Sequence, residues 1–300
     1  TMDIIRAHGK YTVMHEDGRK GKIAAVNRVM HFVKTPITIF CDANTYLNAD
    51  AVQNIVRHFA DPRVGCVAGE KRIFKKKNDT ASGAGEGIYW KYESYLKRMD
   101  SELQNIVGAA GELFAVRTEL FEFLPSSTII EDFVLSLSIT ERGYLAKYEP
   151  EAYAQESASE NIEEELKRKI RICAGGFQAM AILKGLLNPF KHGLLTFQYV
   201  SHRVLRWAVV PFLLLAIIPI NIYLAVYHPN VLYKVLLAAQ ALFYVASLLG
   251  WYLKNKKMEV KVLFVPYYFF IMNYAAYMGF LRYMKGSQSA VWERAKRSAV

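Results

Sequence analysis

Three long apolar runs in the last third of the chain constrain its fold more than any other feature. These uncharged runs cover residues 207–227, 235–253 and 262–281. A helix of about 20 apolar residues is long enough to cross the hydrocarbon core of a bilayer. Residues 1–202 instead mix charged and apolar segments, as a soluble α/β domain does. The sequence therefore predicts a soluble domain followed by an α-helical transmembrane region, with spans at about 207–227 and 233–253.

The third run, at about 262–281, is expected either to span or to form an interfacial or re-entrant segment. Three lysines (Lys254, Lys256 and Lys257) follow the second run, whereas the 228–230 loop has no Lys or Arg. The positive-inside rule then places the N-terminal domain and the 254–261 loop in the cytoplasm. A full third crossing would carry the basic C-terminal residues outside. We therefore expect a cytoplasmic C-terminus in an integral protein of a plasma or inner membrane.

The formal net charge of +11 does not indicate a nucleic-acid partner. No groove-reading motif and no repeat of basic and aromatic residues accompanies the charge. Basic residues instead flank the apolar runs, which favours membrane lipids and phosphate groups as partners. Three cysteines (Cys41, Cys66 and Cys173) have no metal-ligand spacing, and their odd number argues against a disulfide framework. They are expected to be packed free thiols in a reducing compartment.

Short apolar runs alternate with amphipathic helical stretches at the start of the chain. The expected order is a strand at 11–15, a helix over about 21–33, a strand at Ile37–Cys41, a helix over about 49–60 and a strand at 64–68. This alternation is typical of β-α-β units that form a parallel sheet. Strand Ile37–Cys41 is apolar or β-branched throughout, so it is expected to be a central strand buried on both faces.

The middle of the chain is expected to contain a loop, two helices and a strand. In chain order these are a mobile surface loop at 74–87 with a helix after it, a helix at 131–141, a strand at 145–148 and a long helix from Ile162 to about Leu183. The long helix starts with acidic residues and continues with basic ones, as suits the helix macrodipole. Its place before the first run predicts an amphipathic interfacial region at 161–202, between a globular domain at 1–160 and a membrane region at 203–300.

Asp42 and Asn44 directly follow the expected strand Ile37–Cys41. Ligands of open α/β sheets bind beyond the carboxyl ends of strands, where a carboxylate can coordinate a divalent metal. An Asp after a strand is also a common turn or cap residue, so this triplet alone leaves both interpretations open.

Two further groups have the same two possible interpretations. Glu131 and Asp132 open a helix, where an Asp could act as a general base or could simply cap the helix and complement its dipole. Arg168 and Arg171 could bind a diphosphate, or they could contact lipid headgroups.

The order and spacing of these groups resemble processive and related family 2 glycosyltransferases, such as poly-N-acetylglucosamine, hyaluronan and cellulose synthases. The matching segments are GKIAAVN at 21–27, FCDANT at 40–45, GAAGELFAVR at 108–117, IED at 130–132, YEPEA at 148–152, RKIR at 168–171 and VWER at 291–294. They extend over most of the chain, including the apolar runs.

The resemblance implies a GT-A, Rossmann-like catalytic domain and a single inverting displacement at an anomeric carbon. Its donor is a nucleotide sugar, with a UDP-sugar expected, and its acceptor a glycan or a lipid-linked glycan. Asp42 then matches the first Asp of the D-x-D motif and would bind Mg²⁺ or Mn²⁺ together with Asn44. Asp132 matches the catalytic base. The residues that the resemblance places in substrate binding are Lys22 and Asn27 on the nucleotide side, Gly108 and Gly111 at the acceptor pocket, Glu131, Arg168 and, near the donor diphosphate, Arg171.

This chain departs from the family pattern in three places. Asn44 replaces the second Asp of D-x-D, and an amide can ligate a divalent ion but adds no charge. Arg168 and Ile172 stand where Gln and the acceptor-holding Trp are expected, so the resemblance leaves open processive synthesis and single addition. Such enzymes also begin with a strand and an acidic loop that grip the nucleobase, and we expect this chain to lack that segment.

Two other functions compete with the enzyme. A membrane-anchored glycan-binding or scaffolding subunit could keep the fold and lose catalysis. The joint presence of Asp42, Asp132 and Arg171 argues against that alternative. A small transporter fits poorly, because the apolar runs contain few ionisable residues.

Overall fold

A computed structural model of the chain describes residues 2–73, 81–157, 162–255 and 261–291. Its strands are β1 (Ile37–Cys41), β2 (Tyr46–Leu47), β3 (Val64–Ile73), β4 (Leu113–Arg117) and β5 (Leu145–Glu156). Its α-helices are α1 (Met2–Ala7), α2 (Lys22–Met30), α3 (Ala51–Val56), α4 (Ala81–Leu103), α5 (Glu131–Glu141), α6 (Ile162–Ile182), α7 (Pro189–His192), α8 (Leu194–Tyr199), α9 (Val210–Tyr227), α10 (Val231–Asn255) and α11 (Lys261–Met284). A π-helix, Val200–Val209, joins α8 to α9, and short 3₁₀ turns cover Arg57–Ala60, Thr118–Leu120 and Lys184–Leu187.

The strands form a mixed sheet in the order β1-β4-β3-β5-β2. β3 and β5 are parallel, whereas β4 runs antiparallel to both of its neighbours and β2 antiparallel to β5. Ala115 of β4 therefore lies between Ile39 of β1 and Val67 of β3. The expectation of a parallel sheet is wrong for β4 and β2. The alternation of strands and helices predicted that β1 and β3 would be neighbours, but β4 lies between them and runs antiparallel to both.

Two other strand expectations are also wrong. Residues 11–15 form no strand; Tyr11 is 66% exposed, and the segment pairs with none of the described strands. β1 is half-buried and lies at the edge of the sheet within the described part of the chain, not at its centre. Its run of apolar residues reflects packing against β4 and both core layers, with Phe40 stacked on Phe114 at 4.8 Å.

The core has one layer on each face of the sheet. Alternate residues of β3 and β4 supply the two layers: Cys66, Ala68 and Phe114 to one, Val67 and Ala115 to the other. Successive side chains of a strand point to opposite faces, so β3 and β4 are buried on both sides. The larger layer contains α5 and α6, and this places the start of α5 beside the carboxyl end of β1.

The expected loop at 74–87 is wrong in its second half. Residues 74–80 lie outside the described part of the chain, but α4 already starts at Ala81 and continues without a break to Leu103. The glycines at the start of α4 favoured a loop, because each glycine in a helix lowers its stability by about 1 kcal/mol relative to alanine. The packing of α4 against β3 and β5 outweighs this penalty.

Three helices of the described chain are long and apolar enough to cross a membrane: Leu194–Tyr227, Val231–Lys254 and Val262–Met284. The first starts earlier than predicted, because α8 and the π-helix run straight into α9. The third is an unbroken helix that packs along α6 and α10, and whether it spans or lies at the interface remains a prediction.

The region at 161–202 has two different parts. Most of α6 is buried, from Arg168 to Phe177, so this helix lies within the protein. Exposed apolar side chains come afterwards, with Phe190 fully exposed and Phe197 64% exposed. The interfacial role of residues 161–202 remains a prediction, and the exposed apolar side chains of this region lie at residues 182–197. All three cysteines are free, and Cys41 is exposed rather than packed.

Candidate active site

The side chain of Lys22 joins the two acidic motifs. Lys22 is the first residue of α2, Asp42 follows β1, and Glu131 is the first residue of α5. The Lys22 Nζ lies 2.7 Å from Asp42 Oδ1 and 3.3 Å from Glu131 Oε1. The three elements therefore bring one ammonium and two carboxylates, from positions far apart in sequence, to the same point.

Gly111 brings Asp132 to the same cluster. Its carbonyl oxygen accepts a hydrogen bond from Lys22 Nζ at 3.4 Å. A Cβ on Gly111 would lie 2.9 Å from Lys22 Nζ and 3.1 Å from Asp132 Oδ2. Gly111 is therefore required because the ammonium and the Asp132 carboxylate occupy the space of a side chain. Gly108 has φ of 88° and lies against the Phe133 ring, which leaves no room for a Cβ.

The charges in this cluster change the acidity of its members. Burial, together with the charges of Glu131 and Glu112, raises the pKa of Asp132 to about 7, against the opposing effect of Lys22. Burial also raises the pKa of Asp42, and Lys22 only partly offsets this rise. For Lys22 burial favours the neutral amine, but Glu131, Asp42 and Asp132 hold its pKa above the ordinary value. A carboxyl with a pKa near 7 suits proton transfer at neutral pH.

A second, buried group of charges lies near the Asp42 loop, and the sequence analysis did not predict it. Lys71 of β3 pairs with both Glu112 and Glu156. Asn44 donates from Nδ2 to Glu156 Oε2 at 3.3 Å, which links this group to the Asp42 loop. Burial favours the neutral form of Glu112, yet Lys71 and Arg168 hold its pKa below the ordinary value. Glu112 follows Gly111 in the motif segment 108–117, and this position could have indicated its place near the site.

The remaining predicted residues have defined surroundings. Arg168 pairs with Glu165 at 3.0 Å, and both Arg168 and Arg171 are 9% exposed. Such burial within the protein argues against their being lipid-headgroup contacts. Asn27 donates to the Leu124 carbonyl at 2.7 Å and thereby ties α2 to the segment before α5. Nucleotide binding by Asn27 and diphosphate binding by Arg171 remain predictions.

The ligands available for a divalent cation at this site are the Asp42 carboxylate and the Asn44 amide. No group of three or more His, Cys, Asp or Glu residues that could hold a metal occurs in the described ranges. Mg²⁺ is usually bound by one or two protein oxygen ligands together with substrate phosphates and water. The donor set at residues 42 and 44 fits an ion that is bound jointly with a diphosphate.

The chain is similar to known glycosyltransferases. Residues 37–280, well over half of the chain, match the family described as glycosyl transferase family group 2. Poly-beta-1,6-N-acetyl-D-glucosamine synthase of Staphylococcus aureus is 25% identical over 185 residues, which cover 59% of this chain and 43% of that protein. The O-antigen chain rhamnosyltransferase RfbN of Salmonella typhimurium is 29% identical over 139 residues, 44% of either chain. This chain therefore spans less than half the length of these two relatives.

Among solved structures, the mannosyltransferase PcManGT from Pyrobaculum calidifontis, in complex with GDP-Man and Mn²⁺, matches with a TM-score of 0.62 at 20% identity. The match covers 94% of this chain and 73% of that one. It shows a shared GT-A fold for the mixed sheet, with apolar helices after it. With the family match over most of its length, this chain belongs to glycosyl transferase family group 2.

Proposed function

We propose that the chain is the catalytic, membrane-anchored part of an enzyme that transfers a sugar from a nucleotide sugar to a polysaccharide or a lipid-linked acceptor, with inversion at the anomeric carbon. The observation that carries this proposal is the position of Lys22 and Asp132 over Gly111. It brings the residue proposed as base to the same cluster as the Asp42 loop, which is proposed to bind the donor.

Asp132 is proposed as the general base. Its carboxylate accepts the proton of an acceptor hydroxyl while that oxygen attacks the anomeric carbon of the donor. The bond from this carbon to the diphosphate oxygen breaks, and the nucleoside diphosphate leaves with the electron pair. One displacement needs one base and inverts the configuration, and the raised pKa of Asp132 supports that role near neutral pH.

The donor diphosphate is proposed to lie beside Asp42 and Asn44, with Arg168 and Arg171 on its far side. A bound Mg²⁺ or Mn²⁺ supplies positive charge that stabilises the leaving diphosphate. Lys22 pairs with both Asp42 and Glu131, which offsets the repulsion between the two carboxylates, and it holds the Asp42 carboxylate by a hydrogen bond. Gly108 and Gly111 are proposed to line the acceptor pocket, with the Phe133 ring packed against Gly108 and the Lys22 and Asp132 side chains against Gly111.

The substrates are proposed from the relatives. A UDP-sugar is the first donor to test, and GDP-Man, which the archaeal mannosyltransferase structure holds, is the second. A polymer of N-acetylglucosamine and an O-antigen chain are the products in the two relatives' names, so a growing glycan is the proposed acceptor. The three apolar helices are proposed to anchor the chain in a plasma or inner membrane, with the sheet domain in the cytoplasm.

The test is transfer by the full chain, reconstituted in lipid vesicles, with a panel of UDP-, GDP- and dTDP-sugars and with Mg²⁺, Mn²⁺ or chelator. Asp132→Asn should retain donor binding and lower transfer by about 10²–10⁴-fold, as expected for loss of a positioned base. Glu131→Gln is the matched comparison, because it removes the neighbouring carboxylate and leaves Asp132 in place. Wild-type turnover by Asp132→Asn would refute the assignment of the base. Absence of transfer with every donor, despite donor binding, would favour the glycan-binding subunit.

A further inference from the structure

The π-helix Val200–Val209 lies where the first candidate span meets the sheet domain. π-Helices are rare, and they occur frequently at functional sites. Here the π-helix lies between α8 and α9, within the candidate span Leu194–Tyr227, and its polar and aromatic side chains contact α4, α5 and α6. Residues of this one segment therefore contact several parts of the proposed active site.

Trp207 of the π-helix contacts the residue next to the proposed base. Its ring lies 5.5 Å from the ring of Phe133, centroid to centroid, and Phe133 follows Asp132 directly. Trp207 is 8% exposed, and its ring fills the space that a Cβ on Gly176 of α6 would need. The Phe133 ring in turn fills the space that a Cβ on Gly108 would need. The first turn of α5 is thus packed between the proposed acceptor loop and the start of the candidate span.

Arg203 of the π-helix contacts the loop that leads to Gly108. It donates from Nε to the Val107 carbonyl oxygen at 3.1 Å. Its guanidinium carbon lies 5.8 Å from the ring centroids of both Phe133 and Trp207. Glu93 of α4 fixes the guanidinium through an ion pair of 3.4 Å, and the same carboxylate pairs with Arg206. A carboxylate held by two arginines and 4% exposed makes a rigid support for Arg203.

We propose that Arg203 and Trp207 are positioning residues, which hold the Asp132 backbone and the 107–111 loop in the arrangement required for transfer. Catalysis then depends on the helix that enters the membrane, although neither side chain touches a substrate. A shift of about 1 Å in a reacting group can lower a rate by about 10²-fold. The inference rests on the proposed role of Asp132 as base.

The experiment compares variants of the full chain in lipid vesicles. The test variants are Trp207→Ala, Trp207→Phe, Arg203→Gln and Arg203→Lys. Trp251→Ala is the matched tryptophan control, because Trp251 lies on α10 and is 51% exposed. Arg63→Gln is the arginine control, since Arg63 pairs only locally with Asp61 on the surface. Donor affinity is measured by equilibrium binding, and kcat and the donor KM by release of nucleotide.

We expect Trp207→Ala and Arg203→Gln to lower kcat by about 10²-fold and to leave donor affinity within about threefold of wild type, since positioning contributes to the reactive geometry and not to donor binding. Trp207→Phe keeps an aromatic contact with Phe133 and should recover most of the loss. The kcat–pH profile gives a second readout. Water admitted beside Phe133 would reduce the burial of Asp132 and shift the acid limb of Trp207→Ala to lower pH, with Glu131, Glu112 and Lys22 still facing the carboxyl.

Three results would overturn the inference. If Trp207→Ala and Arg203→Gln turn over like the controls while Asp132→Asn is inactive, the π-helix has no positioning role and the proposed function stands. If both variants lose donor binding and thermal stability together with kcat, and Trp207→Phe does not restore kcat, the two residues are merely structural. Full activity of Asp132→Asn would refute the proposed base and this inference with it.

Discussion

Substituting Lys22 by methionine keeps a long side chain and removes its charge, which isolates the effect of that charge on Asp132. Both the Lys22 ammonium and the Asp132 carboxylate lie about 3 Å from the Cβ position of Gly111. The two charged groups are therefore at most about 6 Å apart. At this separation and an effective dielectric constant of about 20, two unit charges interact by about 3 kcal/mol, which corresponds to about two pKa units. Loss of the ammonium should therefore raise the pKa of Asp132 further above about 7.

The direction of the pH effect follows from the role of the base. Asp132 is active when deprotonated, so a higher pKa moves the acid limb of the kcat–pH profile to higher pH. At pH 7.5 the deprotonated fraction would fall by about 25-fold for a shift of two units. At pH 9.5 most of this loss should be recovered. Lys22→Arg keeps the charge and should leave the limb within about half a unit of wild type, although the fit to Asp42 changes.

The assay measures kcat at saturating donor from pH 5.5 to 10, in vesicles, for the wild type, Lys22→Met and Lys22→Arg. Saturation is needed because Lys22 also binds Asp42, so that the donor KM is expected to rise as well. An acid limb that stays in place in Lys22→Met would refute the electrostatic link between Lys22 and Asp132. A loss of kcat that is equal at all pH values would indicate misplacement of Asp42 instead.

Three further predictions concern other parts of the site. Asp42→Asn should abolish most turnover and its dependence on Mg²⁺ or Mn²⁺, which a titration with chelator checks; full wild-type activity in excess chelator would remove the metal from the mechanism. Arg171→Lys should remain membrane-bound but lose about 10²–10³-fold in kcat, since an ammonium cannot reproduce a bidentate guanidinium contact; sedimentation with vesicles and nucleotide release measure the two effects. Gly111→Ala should lower kcat by about 10²-fold with little change in melting temperature, because the methyl group displaces Lys22 and Asp132 rather than the core; unchanged kcat would mean that their close approach is not required.

Local sequence patterns predicted the positions of the acidic motifs well. Asp42 follows a strand, Glu131 and Asp132 open a helix, and a long helix starts at Ile162, as expected. These features could be predicted because each depends on periodicity and capping preferences within a short segment. The apolar helices were also predictable, since about 20 apolar residues have few other stable arrangements.

Long-range pairing could not be predicted in the same way. The insertion of β4 between β1 and β3 brings together residues that are far apart in sequence, and a short apolar segment such as Leu113–Arg117 does not encode its partner strands. The roles of Lys71 and Glu156 depend on that pairing, because both become buried only when β3 and β5 lie side by side. Trp207 lies in a candidate span, as its apolar surroundings predicted, but those surroundings did not indicate that its ring packs against α6 and Phe133.

The distribution of charge explains why a diphosphate donor would need a cation at this site. Asp42, Glu131 and Asp132 converge on one ammonium, so the cluster has a net negative charge even when Asp132 is protonated, because two carboxylates then still face one ammonium. A doubly charged diphosphate beside Asp42 would meet like charge, and in a partly buried site this repulsion is only weakly screened. A divalent ion held by Asp42 and Asn44 together with a donor diphosphate would offset the charge that the donor brings. Lys22 can then stay on Glu131 and near Asp132, where its charge favours the deprotonated base. The same lysine thus stabilises the carboxylates before the donor binds and supports proton transfer afterwards.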